Sequence, residues 1–275
     1  MKIAILGKGG SGKSSTSWLL AKHLSNTKNI QTLAIDSDHN MDLTSCLSVD
    51  SEKVPFLKDF NSEFRTIANM PQLGMWKQYF EVRAVDFCYP NDPKLAKYIV
   101  KVNTYLDLIV AGLGDQNLML TNKCSHALSA PVKYMMPTLT LNNSWIVLDS
   151  VAGSDMLNYG IYFGFDVLCC VVEGHINSIK VANQLKNLAN KQGLKMHFIL
   201  NKYNSSNQLI QEFELENKEL VVGKISSDLA ILDYSWDKIR QETLQELETI
   251  IQNISKIPKP IDSYQKLKAF ELAKI

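Results

Sequence analysis

The stretch Gly7-Lys8-Gly9-Gly10-Ser11-Gly12-Lys13-Ser14 constrains this chain more than any other. It follows the apolar run Lys2–Leu6 and opens a helix-like stretch, Lys13–Ser25. The spacing G-x-x-x-x-G-K-[ST], set between a strand and a helix, is that of a phosphate-binding loop. Glycines let successive backbone N–H groups curl around phosphate oxygens, and the start of the helix adds positive potential. Gly7, Gly9, Gly10, Ser11 and Gly12 then form the cradle. Lys13 would reach the β- and γ-phosphates, Ser14 would offer a hydroxyl to Mg²⁺, and Ser15 would lie near the α-phosphate.

The loop also fixes what must surround it. Six further apolar runs lie at Thr32–Ile35, Leu106–Ala111, Trp145–Leu148, Val167–Val172, His197–Leu200 and Leu220–Val222. Consecutive β-branched and apolar positions suit strands buried on both faces. Helical patterns alternate with them; in Ser178–Lys191, Ile179, Ala182, Leu185, Leu188 and Ala189 share one face. The expected fold is α/β, a doubly wound, mostly parallel sheet in a single domain over residues 1–275. Two regions break the rhythm. Residues 50–104 hold Pro55, Pro71, Pro90 and Pro93, with Phe56, Phe60, Phe64, Trp76, Tyr79, Phe80, Phe87 and Tyr89. They read as a mostly helical insertion without a buried strand, whose aromatics form a small core or face a partner. Residues 237–275 read as a helical tail, broken by Pro258 and Pro260 before a last helix, Ser263–Lys274.

Composition excludes several function classes. The formal charge is +1 over 275 residues, which gives no strong nucleic-acid signal. No run of about 18 apolar residues is present to cross a membrane, and the short apolar start lacks a leader's cleavage pattern. Cys46, Cys88, Cys124, Cys169 and Cys170 are odd in number and scattered, as expected of thiols in the cytoplasm. Cys169 and Cys170 are adjacent in a strand, so they face opposite sides and cannot chelate together.

Three more segments carry chemistry. The second strand ends in Asp36-Ser37-Asp38-His39-Asn40, and carboxylates at the carboxyl end of a parallel strand face the ligand crevice. Trp145–Leu148 runs into Asp149, which is placed to hold Mg²⁺ through water. Asn201-Lys202-Tyr203-Asn204 follows another strand. There Asn201 would bond the edge of a base and Lys202 would cover the nucleotide. A guanine reader needs a carboxylate where Asn204 stands, so ATP is favoured over GTP.

The segment Lys8–Ser14 resembles the deviant Walker A motif of the MinD/ParA-like P-loop ATPases. Asp36–Asn40 is similar to that family's D-x-D-P-N, with His39 at the proline position. Asp149-Ser150-Val151-Ala152-Gly153 is similar to its D-[ST]-x-A-G switch. The resemblance implies a slow ATPase that forms a nucleotide-dependent homodimer, with Lys8 acting across the interface. It further implies that Asp38 orients the attacking water and that Asp36 assists the Mg²⁺ shell. Gly153 would sense the γ-phosphate, and Asp228 would lie in a second base-side loop.

Within that family the chain resembles the CooC-type carbon-monoxide-dehydrogenase accessory ATPases. Those carry a C-x-C metal motif between a strand–glycine and the Walker B strand. Here the stretch is Cys124-Ser125-His126. Two copies at a dimer axis would supply a Cys₂His₂ set for Ni²⁺ or Zn²⁺; alternatively Cys124 is a reduced helix-start cysteine beside an exposed histidine. The first possibility implies maturation of a client metalloenzyme. The alternative is a MinD/ParA-type positioning or partition ATPase acting through a membrane- or DNA-bound dimer. For that role Tyr264, Leu267, Phe270 and Leu272 would form a membrane face among Lys266, Lys268 and Lys274, unless the helix docks on its own domain.

Overall fold

The computed structural model describes residues 1–38, 40–57, 61–67, 85–111, 130–153 and 155–273. The strands in chain order are β1 (Lys2–Gly7), β2 (Gln31–Asp36), β3 (Phe87–Tyr89), β4 (Val100–Lys101), β5 (Leu106–Val110), β6 (Leu139–Leu141), β7 (Ser144–Asp149), β8 (Val167–Val172), β9 (Met196–Tyr203) and β10 (Val221–Ser226). The helices are α1 (Lys13–Lys22), α2 (Asp42–Cys46), α3 (Asn61–Ile67), α4 (Ala130–Met135), α5 (Asp155–Tyr159), α6 (Ile176–Lys191), α7 (Gln208–Glu216), α8 (Leu229–Leu232), α9 (Gln241–Ser255) and α10 (Ser263–Leu272). Each of the seven apolar runs becomes a strand of one sheet.

That sheet has eight strands in the order β10-β9-β8-β1-β7-β2-β5-β4. Every neighbouring pair is parallel except β4 with β5. Alternate side chains feed two cores. From β1, Ile3 and Ile5 join Trp18 and Leu20 of α1, Leu43 of α2 and Leu247 and Ile250 of α9. Ala4 and Leu6 face the other way, toward Tyr134 of α4, Leu185 of α6, Phe213 of α7 and Leu267 of α10. Burial on both faces explains why these strands read as continuous apolar runs. The register sets Asp36 of β2 opposite Asp149 of β7, and Asp149 also pairs with Ile5 of β1.

The region read as a mostly helical insertion is more mixed. Among its described residues lie α3 and the single turns Ser51–Lys53 and Ala96–Tyr98, but also two strands. β3 pairs in parallel with β6, and β4 runs antiparallel to β5. Phe-Cys-Tyr is too short to show a period of two. Tertiary contacts make it a strand: Asp92 accepts from Cys88 N at 2.9 Å, and the hydroxyls of Thr140 and Ser144 donate to the Phe87 and Tyr89 carbonyls. Phe64, Phe87, Tyr89 and Tyr98 are buried in the core of the main sheet, and Phe64 stacks on Phe87 at 5.8 Å. Phe60, Trp76, Tyr79 and Phe80 lie outside the described residues.

The tail holds α9 and α10, separated around Pro258 and Pro260. Of the four apolar residues of α10 that could have met a membrane, three turn inward and Leu272 stays exposed. Leu267 is fully buried, and Tyr264 and Phe270 pack against the same core. The Phe270 ring lies 5.1 Å from that of Phe163 and presses on Gly160, whose φ is +83° and where a Cβ would overlap the ring. Lys133 of α4, 1% exposed, pairs with Glu271 at 2.8 Å and stands 4.1 Å from the Tyr159 ring centroid. Tyr134 donates to the same carboxylate. No described helix is long and apolar enough to cross a membrane. Removing one member of a buried pair strands the other charge. We therefore expect Glu271→Ala to lower stability by about 3 kcal/mol in urea unfolding, with most of it recovered in Lys133→Met/Glu271→Leu.

Candidate nucleotide-binding site

The phosphate loop leaves β1 and enters α1 as expected, closed by a hydrogen bond from Ser11 N to the Lys8 carbonyl at 3.1 Å. Gly12 has φ +87°, and a Cβ there would overlap the side-chain amide of Asn201. Only glycine suits both the torsion and the approach. Asn201 Nδ2 donates to the Ser11 carbonyl at 3.0 Å, so β9 clamps the loop through this side chain. Lys13 is buried at 6% exposure. Lys8 lies at the surface of the loop with Nζ on the Gly9 carbonyl.

At the carboxyl ends of β2 and β7 the sheet holds three buried carboxyls, Asp36, Asp38 and Asp149. Burial, followed by the nearby Asp36 charge, pushes Asp149 up to about 7; Ser14 and Lys13 act in the opposite direction. Asp149 Oδ1 accepts from Ser17 Oγ at 3.2 Å, while Oδ2 meets no donor in bonding geometry among the described residues. A buried oxygen of this kind beside a loop serine is what a hard cation would need. Asp36 is pushed up to about 6, again chiefly by burial. Its Oδ2 accepts from Thr44 Oγ1 at 2.6 Å and Thr44 N at 2.8 Å, and its Oδ1 from Asp38 N at 3.3 Å. The residue read as a helper of the Mg²⁺ shell thus anchors α2 and the turn that carries Asp38. Asp38 in turn accepts from Asn40 N at 3.0 Å. Gly153 N donates to the Gly7 carbonyl at 3.3 Å, tying the segment after β7 to the loop.

A cleft of about 740 Å³ opens beside the loop. It brings together Gly10, Gly12, Lys13, Ser14 and Ser15 with Asn201, Lys202 and Asp228. Two of these are held in ways the sequence does not reveal. Lys202 adopts φ +49° and pairs with Glu173 at 2.7 Å. Both carboxylate oxygens of Asp228 are engaged, Oδ1 with Ala230 N and Oδ2 with Arg240 N and Thr243 Oγ1. Asp228 therefore caps α8 and fastens it to α9.

Sequence reasoning missed the rest of the lining: Asp42, Ser226, Ser227, Leu229, Ile231, Leu232 and Tyr234. Leu229 and Leu232 are 81% and 70% exposed, an apolar rim suited to the face of a base. The run Leu-Ala-Ile-Leu directly after Asp228 was the available signal. Cys124 and His126 lie outside the described residues.

The chain is similar to several known proteins. An uncharacterised ATP-binding protein of Methanocaldococcus jannaschii is 26% identical over 238 residues, covering 84% of this chain and 86% of that protein. The carbon monoxide dehydrogenase accessory protein CooC of Rhodospirillum rubrum is 26% identical over 197 residues, 71% of each chain. The septum site-determining protein MinD of Pyrococcus horikoshii, solved with Mg-ADP, superposes with a TM-score of 0.62 at 18% identity, covering 93% of this chain and 96% of that one. That likeness carries the fold. The model of the CobQ/CobB/MinD/ParA nucleotide binding domain matches residues 2–236, and the chain belongs to that family.

Proposed function

We propose that this chain binds and hydrolyses Mg-ATP as a homodimeric switch, and that the switch serves a CooC-like accessory role in metal-cofactor insertion into a client enzyme. The observation that carries the ATPase reading is the phosphate loop between β1 and α1, set beside the buried Oδ2 of Asp149, which meets no hydrogen-bond partner among the described residues. Ser14 and Asp149 would hold Mg²⁺, which when bound offsets charge on the β- and γ-phosphates. Lys13 binds the same oxygens from the loop. Asp38 accepts a hydrogen bond from the attacking water and aligns it with the γ-phosphorus. Lys8, at the loop surface, reaches the nucleotide of the second copy, where another cation stabilises transition-state charge. Asn201 keeps the cradle rigid, and the rim of α8 packs on the base.

The accessory role draws on the likeness to CooC and on Cys124-Ser125-His126, which precedes β7 as the metal motif does in that group. A MinD-like role at a membrane has the fold in its favour. The inward packing of Tyr264, Leu267 and Phe270 uses the apolar face that such a role requires, which favours the client-directed reading.

Gly12→Ala places a side chain at a left-handed torsion against Asn201; we expect ADP affinity by calorimetry to fall about tenfold or more. Lys8→Ala should bind ATP almost as wild type does while losing ATP-dependent dimerisation by light scattering; an undiminished dimer would remove the trans role. Elemental analysis after Ni²⁺ or Zn²⁺ loading with Mg-ATP should give about half a metal per chain, lost in Cys124→Ser. Metal-free wild type would leave the ATPase in place and remove the Cys124–His126 centre.

A further inference from the structure

The wall of the cleft that faces the phosphate loop is held from behind by α9. This helix lies outside residues 2–236, the part of the chain matched to the family domain. It runs antiparallel along β10, and three residues of one helical face touch the strand in turn. Asn253 Nδ2 donates to the Val222 carbonyl at 2.9 Å. Ile250 packs on Gly223 so closely that a Cβ there would overlap its side chain. One turn earlier, Glu246 takes both donors of Ser226, the backbone N–H on Oε2 at 2.9 Å and the hydroxyl on Oε1 at 2.6 Å.

The strand needs holding at that point. Its ladder with β9 slips there: Ile225 pairs with Asn201 and Ser226 with Tyr203, so Lys202 is passed over. Lys202 is also the residue at φ +49°. An extra residue of this kind bends a strand and disrupts its pairing locally. The two residues that follow Ser226 are held from the same side. Arg240, just before α9, donates from Nη2 to the Ser227 carbonyl at 2.6 Å, and its backbone N–H and Thr243 Oγ1 fix Asp228. Ser226, Ser227 and Asp228 all line the cleft, and Asp228 caps α8, whose Leu229 and Leu232 form the rim. Three consecutive lining residues thus take their position from α9 and the residue before it.

We propose that Glu246 is a positioning residue for the nucleotide, the carboxylate through which α9 fixes the wall of the cleft opposite the phosphate loop. This rests on the nucleotide-binding reading above. Glu246 does not line the cleft itself and acts through Ser226. The loop holds the phosphates, whereas the sugar and base extend toward the wall. Without Glu246 the wall is in place for only part of the time, and affinity for a ligand that needs it falls by that fraction. A ligand bound by the loop alone does not feel the loss.

The test is calorimetry with Mg-ADP and Mg-pyrophosphate, together with thermal melting, on wild type, Glu246→Ala, Glu246→Gln, Arg240→Ala and Asn253→Ala. We expect Glu246→Ala to bind ADP about fivefold more weakly, as a wall in place about one-fifth of the time would, and to keep its pyrophosphate affinity within about twofold. Glu246→Gln, which can still accept from the Ser226 N–H, should recover most of the ADP affinity. Arg240→Ala, at a half-exposed side chain, should repeat the loss on a smaller scale, and it decides the matter if Glu246→Ala does not fold. Asn253→Ala loosens α9 at the other end of β10; it should lower the melting temperature without changing the ADP-to-pyrophosphate ratio. An unchanged ratio in the Glu246 and Arg240 variants, or an equal fall in Asn253→Ala, would overturn the proposal. Wild type that binds pyrophosphate as tightly as ADP would also overturn it, while leaving the phosphate loop in place. Wild type that binds neither would remove the nucleotide reading and the proposal with it.

Discussion

The structure depends on how a parallel sheet places carboxylates at one end. Register alone sets Asp36 opposite Asp149, with the phosphate loop leaving the neighbouring strand β1. Two buried acids side by side repel, and each loses hydration. The surroundings relieve this unequally. Asp36 is saturated by the backbone and hydroxyl of Thr44, whereas Asp149 keeps one oxygen without a donor among the described residues. The two neighbouring acids therefore differ in how far the protein itself satisfies them.

The same holds across the cleft. Asn201, Lys202 and Asp228 all reach the cleft, yet each is also fixed to the protein: Asn201 to the loop, Lys202 to Glu173, Asp228 to α8 and α9. A ligand entering this cleft meets groups whose orientations are already chosen. Little side-chain freedom remains to be lost on binding, which is the physical content of preorganisation.

Much of this was legible in the chain itself. Short runs of consecutive β-branched and apolar residues suit strands of a buried parallel sheet, so all seven were visible, and the loop between the first strand and its helix marked the site. Short or borrowed features were not visible. β3 has three residues and owes its form to Asp92, Thr140 and Ser144, none of which a local pattern can supply. Tyr234 sits 219 positions after Ser15 in the chain, and its place beside the loop follows only from the packing of α1 against the segment after β10. The commitment of Asp36 to Thr44 was equally hidden, because both candidate roles need the same carboxylate at the same strand end.

The pairing of Lys133 with Glu271 has a consequence for how the chain is made. All eight strands of the main sheet lie before residue 227, and a ribosome completes them well before it adds Glu271. Until then the lysine of α4 waits for the carboxylate that it meets in the folded protein, and an ammonium resists removal from water. The surface that α10 will cover therefore stays open and wet on the emerging chain. That side of the molecule closes after the sheet and its phosphate loop are complete.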